Sequence, residues 1–518
     1  MGRIVQAQQT LRNALQYDEG NANLHSELAT LYLAQNQGQQ AFEELNASLE
    51  LDPGNTEASL RLAKLLSQHG QAGEAVQSLE QSLLHHPHNA QLHRQLGEIY
   101  MDAGHLDKAL DHFEALVALD PRSAELYSRL GRIYQKKQYN IESIHAYQKA
   151  VELHPVNAEH REDLAMAYYS AGQLPQAAQE LTKAARLDYT NADYPKALGI
   201  LMVDMGRYDE AVRYLNQSLE LNKDDAQAYG MLGKALAGQG FNSMAISEFQ
   251  HALELAPQWY FLHLPLARAY SQLGKHEQAL ACFQEFMKNV DSGTDQAIVC
   301  RSYVDMGFSH LSVKDYHRAT EVFKAVLQRN RSVSEAWRGL ALIALAKKNY
   351  NQAQQCLNQG LQAEPHSLKL QMLASDIQGA RGAWGNAISI MQTAAEQHPQ
   401  EPEAFEHLGR ALRKGGRLQD AIEVFNGAIQ RFPELAGHFS WLRGRVEFRQ
   451  GQYDAALWSY RQALELVCDD WRIYVDLGKA CVSMQQMGDA GEAFTKAMRC
   501  APAPEQKQIK SLMERLNL

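Results

Sequence analysis

Between Ala226 and Pro257 the apolar residues fall into two groups at helical spacing. Tyr229, Leu232, Gly233 and Leu236 share one stripe of a helix, and Ala245, Phe249 and Ala252 form the matching stripe of a second. Gly240 lies between them, where a first helix stops and a second restarts. The pattern returns after 34 residues: Leu96, Gly97, Tyr100, Gly104, Ala109, Phe113 and Pro121 are followed by Leu130, Gly131, Tyr134, Tyr147 and Pro155. Fourteen such units begin at Ala22 and every 34 residues to Tyr260, then at Cys300, Ser334, Leu368, Pro402, Gly437 and Trp471. A chain built this way is predicted to be all-α, a stack of hairpins in which each pair of helices covers the apolar flank of the next.

Position 20 of the unit is Ala in thirteen of the fourteen, with Ser143 the exception. A methyl group there implies that the paired helices approach closely, and Phe or Leu at position 24 fills the space beside it. Pro at position 32, as in Pro53, Pro121, Pro257 and Pro433, ends the second helix. Two joints depart from the period, one of 40 residues with the extra ones at 290–295, and one of 35 around 435–438. The expected organisation is a half unit at 1–21, repeats 1–8 at 22–289, an insertion and hinge at 290–299, repeats 9–14 at 300–504 and a capping helix at 505–518. In the half unit Ala7, Leu11 and Ala14 occupy positions 20, 24 and 27 of a second helix that has no first. Either the chain starts inside a longer protein or a partner covers that face. At the hinge, Ser292-Gly293 breaks the register, and Pro265 inside a preceding first helix removes a backbone donor.

These residues resemble the tetratricopeptide repeat, whose W-x2-L-G-x2-Y, A-x3-F-x2-A and P pattern they match in order and spacing over residues 22–504. The resemblance implies a right-handed α-solenoid superhelix of about fourteen helix-turn-helix repeats. It also implies a concave groove lined by the first helices, and a role in protein recognition and complex assembly. Two specialisations of the family do not fit. Tetratricopeptide domains that hold chaperone tails carry Asn at position 9, and the sugar-transferring members carry an Asn ladder at position 6; this chain has Asn at neither position in any repeat.

Composition narrows the picture little further. The net charge of −10 over 518 residues lacks the basic footprint of a nucleic-acid binder. Cys282, Cys300, Cys356, Cys468, Cys481 and Cys500 form no C-x-x-C, and Cys356 and Cys481 read as apolar fillers, which suits a reducing compartment. No apolar run approaches the ~20 residues of a membrane helix, and the first residues lack the apolar core of a signal peptide. The expected location is the cytoplasm, with the periplasm or cell envelope as the alternative if the N-terminus is truncated. Phosphate-binding, zinc-protease and nucleophile-elbow motifs are absent, and His85, His86, His88, His154 and His398 sit beside Pro87, Pro155 and Pro399 at repeat junctions as surface turn residues. No catalytic residue, cofactor or metal is therefore expected.

In this family positions 2, 5, 9, 12 and 13 of the first helix face the groove. In repeats 9–11 they include Val304, Phe308, Leu311, Leu342, Leu345 and Met372, an apolar run that reads either as a binding patch or as packing against the neighbouring repeat. In repeats 12–14 they include Arg410, Arg413, Lys414, Trp441, Arg445, Arg449 and Lys479, with Arg472 nearby. Such a basic groove suits an acidic peptide segment or a carboxylate terminus, the alternative being ordinary solvated charge. The expected function is a non-catalytic scaffold or adaptor holding an extended protein segment. The alternative is the recognition region of a larger enzyme, or of a bacterial envelope or polysaccharide export machine.

Overall fold

Each hairpin is closed by contacts that the repeat dictates. The computed structural model describes residues 2–290, 293–467 and 469–516, and among these thirty α-helices account for the ordered architecture. The thirteen alanines at position 20 are all fully buried. Ser143, which replaces the fourteenth, donates its hydroxyl to the backbone oxygen of Gly131 at 3.0 Å and so remains satisfied in the same tight seat. Opposite position 20, glycine at position 8 of the first helix opens a seat for the ring at position 24. A Cβ on Gly97 would stand 2.8 Å from the Phe113 ring, and one on Gly409 only 2.3 Å from Phe425. Fully burying each of these rings contributes on the order of 2 kcal/mol, so the close crossing and the large side chain are one device.

Several first helices start on a side-chain cap. Asn21, Asn55, Asn89, Ser123, Asn157, Asp225 and Asp470 each accept a hydrogen bond from a backbone amide in the first turn. The turn between paired helices needs a left-handed residue at position 15. Nine repeats place Gly there, and the other five hold Asn36, Gln138, Lys314, Lys348 and Gln485 in the same conformation with φ between 57° and 62°.

The chain divides into two compact units, Met1–Leu262 and His263–Leu518. In the first, the helix Gly2–Tyr17 precedes seven hairpins, from Ala22–Leu33 with Gly38–Leu51 to Ala226–Gly238 with Asn242–Leu255. Leu11 and Leu15 of the leading helix pack on the core of the following repeats, but Leu11 stays half-exposed, unlike its fully buried counterparts Leu45 and Leu79. The second unit holds seven hairpins, from His263–Gln272 with His276–Lys288 to Trp471–Ser483 with Met487–Cys500, then the helix Ala503–Leu516. That last helix buries Ile509 and lays Leu512, Met513 and Leu516 against the final core cluster.

Pro265 is the third residue of its helix, where no intrahelical donor is needed, so it leaves the hydrogen-bond ladder intact. In the 40-residue joint, Ser292 and its neighbour Asp291 lie outside the described residues, as does Cys468. Downstream of that joint the first helix of repeat 9, Gln296–Ser312, begins one turn earlier than its period predicts, and Asp295 caps it. Of the cysteines, Cys356 and Cys481 are buried free thiols, and burial pushes the Cys282 thiol up to about 11. Among the described residues no helix is long and apolar enough to cross a membrane.

Candidate functional site

The basic residues of repeats 12–14 stand on three consecutive first helices, Pro402–Lys414, Ala436–Gln450 and Trp471–Ser483. Trp441 is their pivot. Its indole N–H donates to Asp476 Oδ2 at 3.0 Å, while the Arg445 and Arg472 guanidinium groups lie 5.1 and 5.3 Å from its ring centroid. At 8% exposure Trp441 is therefore a platform beneath cations rather than an exposed aromatic anchor. Arg445 pairs with Asp476 at 3.5 Å, Arg472 with Asp470 at 2.7 Å, and Arg410 with Glu406. His438 bonds Glu406 at 3.2 Å, and this bond, together with Arg410, holds the Glu406 carboxyl below its usual range.

These groups enclose a recess of about 230 Å³ that also contains Arg413, with Phe425 and Leu442 in its wall. Arg413 is half-buried and has no hydrogen bond or ion pair among the described residues. Burial, and then the charges of Arg445, Arg449 and Arg410, lower its pKa, which means that the cationic form is held against its surroundings. An oxyanion in the recess would remove that cost, and a guanidinium offers it two parallel donors. Of the residues expected in the basic groove, Arg410, Arg413, Trp441 and Arg445 meet here. Lys479 pairs with Asp476 at 3.3 Å beside it, Arg449 is exposed, and Lys414 reaches instead over the Trp384 ring.

The apolar run of repeats 9–11 is less open than its positions suggest. Val304 is 3% exposed and belongs to the core with Ala319 and Phe323, so it is not available as a groove contact; the first helix of the next repeat packs over position 5. Phe308 stands edge-to-face on Phe323 at 5.2 Å and is covered by the Arg338 guanidinium at 4.4 Å from its centroid. Leu311, Leu342, Leu345 and Met372 are half-buried flanks of the core clusters.

Two features escaped the sequence reading. Arg338 has a buried Nε with no acceptor, and burial lowers its pKa. In repeat 13, Arg443 and Glu447 replace the Leu and Tyr usual at positions 7 and 11, and both are buried. Arg443 donates to Ser459 Oγ at 3.0 Å, Asn426 Oδ1 at 2.8 Å and Gln462 Oε1 at 3.1 Å, and the Ser459 hydroxyl donates to Glu447 at 2.6 Å. The signal was present as a polar pair at two core positions of one repeat.

Comparison with known proteins agrees with the repeat. Tetratricopeptide repeat profiles match residues 1–47, 33–95 and 310–377, then 264–288, 372–436 and 444–485. A profile described as the cilia and flagella-associated protein 70 C-terminal domain matches 87–273. Human protein O-mannosyl-transferase TMTC1 is 23% identical over 219 residues, covering 41% of this chain and 24% of that protein. Mouse BBSome complex member BBS4 is 24% identical over 217 residues, covering 36% of this chain and 42% of that protein. The chain thus spans less than half the length of either relative. The crystal structure of yeast Tom70 aligns over 82% of this chain and 95% of its own at 15% identity and a TM-score of 0.45. With repeat profiles over more than half of its length and fourteen hairpins in register, the chain belongs to the tetratricopeptide repeat proteins, a family that binds protein partners.

Proposed function

We propose that the chain is a protein-interaction scaffold whose C-terminal unit holds an extended, acidic segment of a partner protein along its first helices. The observation that carries this reading is Arg413, half-buried among Arg410, Arg445 and Arg449 and in no ion pair or hydrogen bond among the described residues, with Asp476 its one opposing charge and already shared by Arg445, Lys479 and Trp441. A cation kept desolvated and unpaired is costly unless an anion arrives from outside. Trp441, with its two guanidinium neighbours, fixes where that anion sits. Phe308, Leu342 and Leu345 would add half-buried apolar edges as the segment continues along repeats 9 and 10. Affinity in such a track resides in a few anchors, and the remaining contacts give complementarity. Selection from a random peptide display library tests the reading. Captured sequences should include acidic ones that lose binding when Arg413→Ala and Arg445→Ala are introduced together. A set of acidic sequences that all bind the double variant unchanged removes the site.

A second reading draws on the partial match to the mannosyl-transferase: the same repeats would serve as the recognition region of a larger enzyme. Sequencing the gene on both sides of the present chain separates the two, because a neighbouring catalytic domain in the same reading frame favours the second.

A further inference from the structure

Position 4 of the first helix and position 23 of the second meet through polar contacts in several repeats. His25 bonds Glu44 at 2.6 Å, His93 bonds His112 at 3.0 Å, and Arg161 donates to Glu180 at 2.8 Å. Repeat 10 breaks this pattern with Trp337 at position 4 and Cys356 at position 23. The indole N–H of Trp337 turns to the backbone oxygen of Arg331 at 2.9 Å, and the short thiol fills little of the space beside the ring. A groove of about 620 Å³ results, over the first helix Ser334–Ala346 and between the second helices Tyr316–Arg329 and Tyr350–Ala363. Leu327, Ile343, Ala344 and Cys356 make a buried, apolar floor. Lys324, Arg331 and Lys347 stand exposed on the rim, none with an ion-pair partner among the described residues, and no described carboxylate lines the groove.

We propose that this groove docks an acidic, amphipathic segment of a partner protein, its apolar side chains on the floor and its carboxylates at the three rim cations. The argument is charge complementarity: an uncompensated positive rim in a chain of net charge −10 favours anionic partners there and repels basic ones. An apolar floor adds the second requirement, which an amphipathic helix laid into a groove satisfies. Three cations fall short of the roughly six to ten phosphate contacts typical of nucleic-acid binding. The groove is built by repeats 9 and 10 and the Arg413 recess by repeats 12–14, with no lining residue in common, so the two are independent.

The test uses the full chain carrying Arg413→Ala and Arg445→Ala, which silences the recess and separates a failure here from a failure there. The probe is a labelled amphipathic peptide with Glu on one face and Leu on the other, followed by fluorescence anisotropy at low salt. Adding Lys324→Glu and Lys347→Glu, both at exposed positions, should weaken binding about tenfold or more and create binding of the same peptide with Lys in place of Glu. Circular dichroism should be unchanged. Affinity for the acidic peptide that stays within about twofold overturns the proposal. So does displacement of the peptide by a uridine oligomer at equal concentration, which assigns the groove to nucleic acid. Self-association that the charge reversals abolish would assign it to a second copy of the chain, with the same result.

Discussion

Two recesses on consecutive first helices, one in each unit, share repeat positions 2, 5, 6 and 9 and differ in how their charges are matched. In repeats 4 and 5 a recess of about 650 Å³ contains Arg122, Arg129 and Arg132, but also Glu125, Glu159 and Asp163. Arg129 lies 3.9 Å from Glu125, and Ser128 donates to Asp163 at 2.8 Å. In repeats 12–14 the smaller recess holds a single carboxylate, Glu406, which is taken by Arg410 and His438, and Arg413 has no ion pair among the described residues. The helices place a cation on this face equally well in both units. What separates a recess with three carboxylates beside its cations from one with a single carboxylate is the choice of a few side chains, a property layered on the scaffold with little effect on the fold.

The comparison can be broken most forcefully at repeat 13. Repeat 4 has Leu130 and Tyr134 where repeat 13 has the buried Arg443 and Glu447. Arg443→Leu alone strands the Glu447 carboxylate and should destabilise the C-terminal unit by about 3 kcal/mol in urea unfolding. Adding Glu447→Tyr, which installs the repeat 4 pair, should recover most of that loss. A single variant as stable as the original would show that the buried network contributes nothing to the fold.

Next in size is binding. Arg413→Ala with Arg445→Ala should cost about 2–3 kcal/mol of affinity for an acidic segment, while Arg129→Ala with Arg132→Ala should change it by less than about 0.5 kcal/mol. Isothermal titration of both variants with one peptide measures the contrast, and equal losses would erase it. Packing follows. Gly409→Ala forces a Cβ to 2.3 Å from Phe425, and Gly131→Ala only to 2.9 Å from the Tyr147 ring, so the first should lose about 1–3 kcal/mol and the second less. Chemical denaturation orders them, and the reverse order would refute the close-seat explanation.

The smaller effects concern the turns and pH. Gln138 and Gly416 occupy the same left-handed position in repeats 4 and 12, so Gln138→Gly should stabilise its hairpin by up to about 1 kcal/mol and Gly416→Ala should destabilise its own by a similar amount. His160 lines the recess of repeats 4 and 5, and burial lowers its pKa from 6.5, as burial also does for His112. The folded state resists protonation that the unfolded chain accepts, so stability is full above about pH 6.5 and declines as the pH falls through and below it. Thermal melts at pH 7.5 and 5.5 should show this decline, and His160→Gln should reduce it.

Much of the fold is legible because the repeat writes it fourteen times. The alanines at position 20 announce a close crossing from their spacing alone, and every one is fully buried. The left-handed turn at Lys314 or Gln485 was not legible, since hairpin geometry imposes that conformation on whatever residue stands there. Val304 shows a second limit: position 5 lies at the border between groove and core, and the neighbouring repeat decides its side. The basic site was legible as a cluster of residue types. That Arg413 is the cation left unpaired depends on which carboxylates Arg410, Arg445 and Arg472 take, and spacing does not encode that choice.

A crystal structure of the chain with an acidic peptide selected on it tests the central claim most directly. The account predicts a peptide oxyanion within about 3 Å of the Arg413 guanidinium, with Trp441 unmoved beneath Arg445 and Arg472. A peptide seated elsewhere, with Arg413 neutralised by one of the chain's own carboxylates, would contradict it.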